Sequence, residues 1–228
     1  MMACSQHLEP EPLGADGLWS EIAAGDFAGR LALFLDRDGV IVEDTQYLGR
    51  AQDVRMLAGA CAAIARCNEL GIPVIVVSNQ SGIARGLYDW RGFAAVQAAI
   101  ASALAQADAR LDAVFACAHH ADGNAPLNVA DHPWRKPNPG MIVAAAERMK
   151  LDLAHSWIAG DRASDLAAGK AAGLAGGIFI SPRADDAERS AAMRLRSPEF
   201  AVDVASSLAD AVALLLARGG LMQPSSAP

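Results

Sequence analysis

Short, continuous apolar runs that alternate with longer amphipathic stretches are the feature that most restricts how this chain can fold. The runs LALFL at 31–35, IPVIVVS at 72–78 and SWIAG at 156–160 are each typical of a strand buried on both faces of a parallel sheet. Similar runs lie at 111–118, 176–180 and 200–205. Helical periodicity separates them at 59–70, 90–107, 140–150, 164–172 and 208–218. The alternation predicts an α/β fold, a doubly wound, Rossmann-like parallel sheet with helices on both faces.

One domain is enough to account for this pattern. We expect it to span residues 31–218, with an irregular extension at 1–30 before it and a tail at 219–228 after it. A short helix is expected near residues 18–24 of the extension. With 228 residues, of which 53% are hydrophobic, the chain is long enough to bury a large core.

Composition argues against several classes of function. The 19 basic and 26 acidic residues give a net charge of −7, which weighs against a nucleic-acid or anionic-membrane partner. No apolar run approaches the roughly 20 residues that span a bilayer, and the N-terminus does not resemble a signal peptide. The four cysteines include no CxxC pair, and a chain of this size needs no disulfide. We therefore expect a reduced, cytoplasmic protein.

Polar side chains follow three of the predicted strands at the point where each strand ends. Asp36 and Asp38 come directly after LALFL, Ser78 closes IPVIVVS, and Asp161 follows SWIAG. Each residue alone has an ordinary structural explanation, because Asp and Ser are common in turns and helix caps. Together they mark the edge at which doubly wound sheets bind their ligands. The pattern predicts a site where a cation or a reacting group lies against two neighbouring carboxylates.

Four short motifs carry a resemblance to a known family. They are DRDG at 36–39, SNQSG at 78–82, RKP at 135–137 and GDRASD at 160–165. In this order they resemble the haloacid dehalogenase superfamily of phosphohydrolases, over roughly residues 31–180. The segments between the motifs leave no room for a separate lid domain. The resemblance therefore implies a capless member, in which short loops form the substrate pocket.

The resemblance implies a role for each acidic residue of these motifs. Asp36 is the nucleophile that forms an aspartyl-phosphate. Mg²⁺ is held by the carboxylates of Asp36 and Asp161 and by the backbone carbonyl of Asp38. The Asp38 side chain serves as general acid for the leaving alkoxide and then as general base for water. Asp165 either supports the metal and its waters or is simply a charge at a helix start.

Other residues of the same motifs are implied to contact the substrate. Ser78 and the backbone N–H groups after it bind the phosphoryl oxygens, and Lys136 neutralises the charge that develops there. Asn79 and Gln80, which follow Ser78 in the SNQSG motif, are further candidates for substrate binding. Taken alone, Lys136 would be read as a solvated loop lysine.

Longer strings around the motifs narrow the resemblance to one branch. FLDRDGVI, VVSNQSGIARG and WRKPNPGM resemble the histidinol-phosphate phosphatases and the D-glycero-D-manno-heptose-1,7-bisphosphate 7-phosphatases. Arg85 and Arg135 are then candidates for contacts to the sugar or to a second phosphate, because guanidinium groups suit oxyanions. Arg162 is a further candidate to face the site. Surface arginines are the alternative explanation.

A loop zinc ion, often present in this branch, is a second cofactor to consider. The family pattern is Cys-x-His followed by Cys-x-Cys before RKP, whereas this chain has Cys117, His119 and His132, with Trp134 at the last position. Three ligands do not match a closed structural zinc site. Either His120 or Asp131 could complete the set, or packing of Trp134 could hold the loop without metal.

The expected activity is Mg²⁺-dependent hydrolysis of a sugar phosphate monoester. Within the branch, the single-domain layout favours removal of the 7-phosphate from D-glycero-D-manno-heptose 1,7-bisphosphate. Histidinol phosphate remains the alternative substrate, and a catalytically silent phosphate-binding module is the alternative class. The expected partner is a small phosphorylated molecule, and the expected oligomeric state is a monomer.

Overall fold

The computed structural model describes residues 16–181 and 187–219, in which strands and helices alternate as the sequence predicts. The predicted tail after residue 219 and residues 1–15 of the predicted extension lie outside the described residues. The strands are β1 (Leu18–Ile22), β2 (Leu33–Leu35), β3 (Val74–Asn79), β4 (Ala113–Cys117), β5 (Trp157–Gly160), β6 (Gly176–Ile180) and β7 (Ala201–Ala205). The α-helices are α1 (Ala60–Glu69), α2 (Ser81–Ala84), α3 (Trp90–Ala105), α4 (Gly140–Met149), α5 (Ala163–Ala171), α6 (Ala187–Met193) and α7 (Leu208–Ala217).

The strands of this described part form one seven-stranded sheet in the order β1-β4-β3-β2-β5-β6-β7. Strands β2 to β7 are parallel, and only β1 runs antiparallel to its neighbour. From β2 the chain moves outward through β3 to β4, and then crosses to the other side of β2 to form β5. Strand β2 is therefore where the winding direction reverses, which is where such sheets bind ligands.

Helices cover both faces of the sheet, so the doubly wound architecture is confirmed. On one face, Ile64 of α1 and Phe93 of α3 belong to a buried apolar cluster that also includes residues of α7. On the other face, Ile142 of α4 and Leu166 of α5 belong to a second cluster, which extends to α6. The central strands are buried except for Asn79 at the end of β3, because both faces of the sheet are covered.

Strand β1 corrects the short helix expected near residues 18–24. The segment LWSEI is extended and pairs antiparallel with β4, with Leu18 opposite Cys117. Trp19 packs edge-on against Phe93 of α3, with ring centroids 5.2 Å apart. This contact lies far away in sequence, so a local pattern with a single buried side chain did not reveal it. Part of the predicted N-terminal extension thus belongs to the sheet.

The loops at the carboxyl edge of the sheet carry no separate lid domain within the described residues. The segment 36–59 contains only a short 3₁₀ helix, Ala51–Asp53, and isolated β-bridges, and the segment 118–139 contains no helix or strand. The pocket at this edge is therefore built from loops, as the capless prediction requires. Over the same part of the chain, none of the helices has the length and apolar character needed to cross a bilayer.

Candidate active site

Four adjacent strands deliver the motif residues to one place. Asp36 follows β2, Ser78 lies in β3, Lys136 lies in the loop after β4, and Asp161 follows β5. A cavity of about 670 Å³ opens at this edge and is termed the active-site pocket below. Its lining includes most of the residues predicted from sequence, namely Asp36, Asp38, Ser78, Asn79, Arg85, His120, Arg135, Lys136, Arg162 and Asp165.

Three carboxylates form a compact cluster that fits a divalent cation. Asp36, Asp161 and Asp165 each offer an oxygen atom within 4.8 Å of the other two. Oδ1 of Asp161 is buried and has no hydrogen-bond partner among the described residues. Burial first, and then the charges of Asp36 and Asp165, raise the pKa of Asp161 to about 7. A cation would relieve this repulsion, and Mg²⁺ prefers oxygen ligands, so the residues present fit the predicted magnesium ion.

Two glycines allow these carboxylates to approach the backbone. Gly39 has φ +79°, and a Cβ atom placed on it would lie 2.4 Å from Oδ2 of Asp161. A Cβ atom on Gly160 would lie 2.3 Å from Oδ2 of Asp165. Both distances are far below van der Waals contact. The glycines of DRDG and GDRASD therefore act on the acidic cluster by leaving it room.

Lys136 connects the nucleophile to the acidic cluster. Its Nζ atom lies 2.8 Å from Oδ1 of Asp36 and 2.6 Å from Oδ1 of Asp165, and donates to the carbonyl of Val77. Burial alone lowers the pKa of Lys136, but the carboxylates of Asp165 and Asp36 outweigh it and hold the pKa above its ordinary value. Lys136 therefore stays charged next to the atom predicted to attack phosphorus.

Asp165 holds this lysine in place. Its Oδ1 atom bonds Lys136, and its Oδ2 atom accepts a hydrogen bond of 3.0 Å from the backbone N–H of Arg162 at the start of α5. Both carboxylate oxygens thus already have protein partners. The geometry favours a role in orienting Lys136, beside the predicted support of the metal.

Asp38, the predicted general acid and base, faces the pocket while its carboxylate is held from behind. Arg37 makes a bidentate contact to it, and Gln80 donates a hydrogen bond to its Oδ2 atom. Burial raises the pKa of Asp38, Arg37 opposes this shift, and the charge of Asp36 adds to it. Arg37 could not be recognised from sequence, because an arginine between two aspartates has the pattern of a solvated turn residue.

Asn79 and Gln80 contact protein groups. The Asn79 side chain forms two reciprocal hydrogen bonds of 3.0 Å with the backbone N–H and carbonyl of Lys136. It thereby ties the end of β3 to the RKP loop, although it also lines the pocket. Gln80 is 2% exposed, and its amide is directed at Ser78 and Asp38. Their predicted contacts to substrate have no direct support from this geometry.

Arg85, Arg135 and His120 also line the active-site pocket. Arg85 lies 3.1 Å from Asp122 and touches the ring of His120, while Arg135 donates to the carbonyl of His119. Burial lowers the pKa of His120, and the charges of Arg135 and Arg85 lower it further. The arginine charges that disfavour a protonated His120 would favour an anion in the same place. Arg162 lines the pocket as well and lies 3.6 Å from Asp44.

The loop predicted as a possible zinc site is held by other contacts. His119 and His132 stack with their ring centroids 4.0 Å apart, and Nε2 of His119 lies 2.6 Å from the carbonyl of Asp16 before β1. Cys117 Sγ is 3.8 Å from Nδ1 of His132. Among the described residues, only the cluster of Asp36, Asp161 and Asp165 brings three ligand atoms within 4.8 Å of one another.

These contacts do not support zinc in this loop. Trp134, at the position of a family ligand, packs against Phe115 of β4 with ring centroids 5.8 Å apart. Asp131, one candidate for a fourth ligand, accepts a hydrogen bond from Asn138. His120, the other candidate, contacts Arg85. Packing and hydrogen bonds thus hold this part of the pocket wall.

Known proteins that resemble this chain are hydrolases of the kind that the site geometry suggests. The HAD-hydrolase-like family model matches residues 133–211. A relative from Mesorhizobium japonicum, named D-glycero-β-D-manno-heptose-1,7-bisphosphate 7-phosphatase, is 48% identical over 177 residues. The aligned region covers 77% of this chain and 82% of the relative.

Two solved structures have folds similar to that of this chain over most of its length. A HAD-like phosphatase from Mesorhizobium loti has a TM-score of 0.83 and 40% identity, covering 96% of this chain and 100% of that one. A D,D-heptose 1,7-bisphosphate phosphatase from B. bronchiseptica, complexed with magnesium and phosphate, has a TM-score of 0.68 and 33% identity. The latter match covers 82% of this chain and 99% of the other.

Proposed function

The chain belongs to the HAD-like hydrolase family, and from this premise we propose that it is a Mg²⁺-dependent phosphatase acting on D-glycero-β-D-manno-heptose 1,7-bisphosphate. The phosphate removed is the one at position 7. The observation that carries the proposal is the Asp36 carboxylate, which contacts the Lys136 ammonium and clusters with the Asp161 carboxylate at the switch point of the sheet. The identity to the M. japonicum relative supports the choice of sugar and of anomer.

The chemistry of the reacting phosphate explains why these residue types are needed. A phosphate monoester is a dianion, so an attacking carboxylate must be shielded from its charge. Mg²⁺, held by Asp36, Asp161 and the backbone at Asp38, supplies that shielding when bound. Lys136 supplies a fixed positive charge in contact with Asp36, and because Lys136 is buried its charge is weakly screened.

Asp36 and Asp38 divide the two halves of the reaction between them. An Asp36 oxygen bonds to phosphorus while the bond to the sugar oxygen breaks, which gives an aspartyl-phosphate. Asp38 donates a proton to the departing oxygen and later removes one from the water that attacks phosphorus, as the bond between phosphorus and the Asp36 oxygen breaks and phosphate leaves. The raised pKa of Asp38 is consistent with a carboxyl group that must be protonated for the first half.

The arginines that line the pocket suit a substrate with a second phosphate. Arg85, Arg135 and His120 line the same cavity as Asp36. We assign the 1-phosphate of the substrate to these residues, because one guanidinium group can donate two parallel hydrogen bonds to two phosphate oxygens.

The free thiols at Cys61, Cys67 and Cys117 are compatible with the reducing cytoplasm as the place where the enzyme acts.

A phosphate-release assay with product identification tests this proposal. The substrates are both anomers of heptose 1,7-bisphosphate, the 1- and 7-monophosphates, and histidinol phosphate, each with Mg²⁺ and with EDTA. We expect fast, metal-dependent loss of the 7-phosphate and retention of the 1-phosphate. Preference for histidinol phosphate would transfer the chain to the other members of its branch, and absence of release from every compound would refute a phosphatase.

An active-site variant and a matched control separate chemistry from folding. Asp36→Asn keeps the shape of the side chain but removes the nucleophile, so turnover should fall to background. Asp26→Asn makes the same exchange at an exposed turn whose side chain accepts from the backbone of Ala28, and should keep wild-type activity. Activity in Asp36→Asn would refute the covalent mechanism.

A further inference from the structure

A buried arginine lies directly behind the predicted general acid. Nε and Nη2 of Arg37 donate to Oδ1 of Asp38 at 3.1 and 2.9 Å, and Nη2 also donates to Oδ2 at 2.8 Å. Arg37 is 1% exposed, whereas the Asp38 side chain keeps 24% of its surface open. The guanidinium group therefore contacts the carboxylate from the protein interior and leaves its other side to the pocket.

The amide of Gln80 joins this pair to Ser78. Its Nε2 atom donates to Asp38 Oδ2 at 3.1 Å and to Ser78 Oγ at 2.7 Å. Its Oε1 atom accepts from Arg37 Nη2 at 3.1 Å and from the Tyr88 hydroxyl at 2.6 Å. An arginine can only donate, so the amide oxygen must face Arg37 and the amide nitrogen must face the catalytic side chains. Burial raises the pKa of Tyr88 to about 12, so its hydroxyl remains a donor.

The outer members of this network are fixed by packing. The Arg37 guanidinium lies over the ring of Phe93, 5.5 Å from its centroid, and Phe93 is fully buried in α3. Tyr88 packs across Gly82, where a Cβ atom would come within 2.3 Å of the Tyr88 ring. Neither Arg37 nor Gln80 lines the active-site pocket. They can therefore influence the reaction only through the groups they hold.

We propose that Arg37, Gln80 and Tyr88 are positioning residues that hold the Asp38 carboxyl group on the line of the departing sugar oxygen. The inference rests on the proposed phosphatase activity. In the step concerned, the Asp36 oxygen bonds to phosphorus, the phosphorus–sugar oxygen bond breaks, and its electron pair takes the proton of the Asp38 carboxyl group. A proton transfer of this kind needs donor and acceptor within hydrogen-bond reach, so a displaced Asp38 slows the step.

The test compares two leaving groups, because only one of them needs the proton. The sugar alkoxide is a poor leaving group and depends on Asp38, whereas p-nitrophenolate departs from p-nitrophenyl phosphate without protonation. We expect Arg37→Met to lower kcat/KM for the heptose bisphosphate by about 30- to 100-fold and for p-nitrophenyl phosphate by at most about threefold. Tyr88→Phe, which removes one hydrogen bond, should lower the first value by about three- to tenfold, with the second again little changed.

Two controls make the role in positioning specific. Gln97→Met replaces a different buried polar side chain, in α3, whose amide has no hydrogen-bond partner among the described residues. It should leave kcat/KM for both substrates at the wild-type value. In an Asp38→Asn background, adding Arg37→Met should change kcat/KM for the heptose bisphosphate by less than about twofold, because its target is already gone.

Each outcome decides the question. An equal fall on both substrates, or a full additional loss in the Asp38→Asn background, would overturn the inference in favour of a merely structural role. If Arg37→Met does not fold, the substrate comparison with Tyr88→Phe decides alone. A wild-type enzyme that hydrolyses neither compound refutes the proposed function itself, whereas an active wild type with unaffected variants refutes only the positioning role.

Discussion

Replacing Lys136 by methionine gives a quantitative test of how the acidic cluster is held. The change keeps the length of the side chain but removes the cation that contacts Asp36 and Asp165. Breaking a buried ion pair by removing one partner costs about 3–5 kcal/mol. Proton uptake sets an upper limit on this cost, because the buried Asp165 carboxyl group, which is 1% exposed, can bind a proton and lose its charge. Protonating a carboxyl of ordinary pKa at pH 7 costs about 4 kcal/mol, so the two estimates agree.

This limit gives the loss a definite pH dependence. Without Lys136, the folded-state pKa of Asp165 rises further above its unfolded value, so the penalty is present at neutral pH and disappears as the pH falls toward 4. We expect the free energy of unfolding to drop by about 4 kcal/mol at pH 7 and by about 1.5 kcal/mol at pH 5. Urea unfolding with EDTA present, followed by circular dichroism at both pH values, measures the two losses.

The chain offers a matched control and a compensating variant. Lys170→Met removes an exposed lysine whose ammonium contacts one carbonyl, that of Leu195, and should cost less than about 1 kcal/mol at either pH. Adding Asp165→Asn to Lys136→Met removes the unpaired charge and should restore at least about 2 kcal/mol at pH 7. A loss below about 1 kcal/mol in Lys136→Met, or one that does not change with pH, would show that this ion pair does not hold the site together.

Three further predictions concern the metal site, Gly39 and Arg135. Because the pKa of Asp161 is raised from 3.8 to about 7, the folded state binds more protons than the unfolded state in that range. In EDTA, stability should therefore fall as the pH rises from 4 to 7, and Mg²⁺ should restore more at pH 7.5 than at pH 5; equal stabilisation at both would contradict this. Gly39→Ala, which brings a Cβ atom against Asp161, should lower kcat/KM at least about 100-fold. Gly173→Ala has the same left-handed strain, with φ +82° and no neighbour within 4 Å, so it should keep its activity, and a similar loss in both would assign the effect to strain alone. Arg135→Met should raise KM about tenfold or more for the heptose bisphosphate but not for the 7-monophosphate. Steady-state kinetics on the two compounds measures this, and an equal rise in KM for both would contradict a contact between Arg135 and the 1-phosphate.

The parts of the fold that could be predicted are those written in local patterns. Strands β2 to β7 and the long helices follow from apolar runs and helical periodicity. Strand β1 could not be predicted because its pairing partner lies far along the chain and only Trp19 of its five residues is buried. Helix α2 is a single four-residue turn that begins at the end of the SNQSG motif, and α6 is polar and largely exposed, so neither shows an apolar face.

The site was predictable in position and in residue type, but not in its internal contacts. Strand ends that share an edge placed Asp36, Ser78 and Asp161 together, because side chains at the ends of adjacent parallel strands must meet. Which partner each side chain selects depends on rotamers and burial, which a sequence does not contain. Gln80 illustrates this, since a polar residue in a phosphate-binding motif is directed inward, toward Asp38 and Ser78.

Strand β1 has a consequence for the order in which the protein can be completed during synthesis. It is made before the other strands of the described sheet, yet its only neighbour there is β4, which follows β2 and β3. The backbone groups of Leu18–Ile22 must therefore wait unpaired until residues 113–117 have left the ribosome. Until then the backbone N–H and C=O groups of β1 have no strand to pair with, and such a strand can pair with other chains instead. Docking of β1 also places the carbonyl of Asp16 against His119, the neighbour of the pocket residue His120, so pairing at this edge of the sheet and the ordering of a pocket loop are coupled.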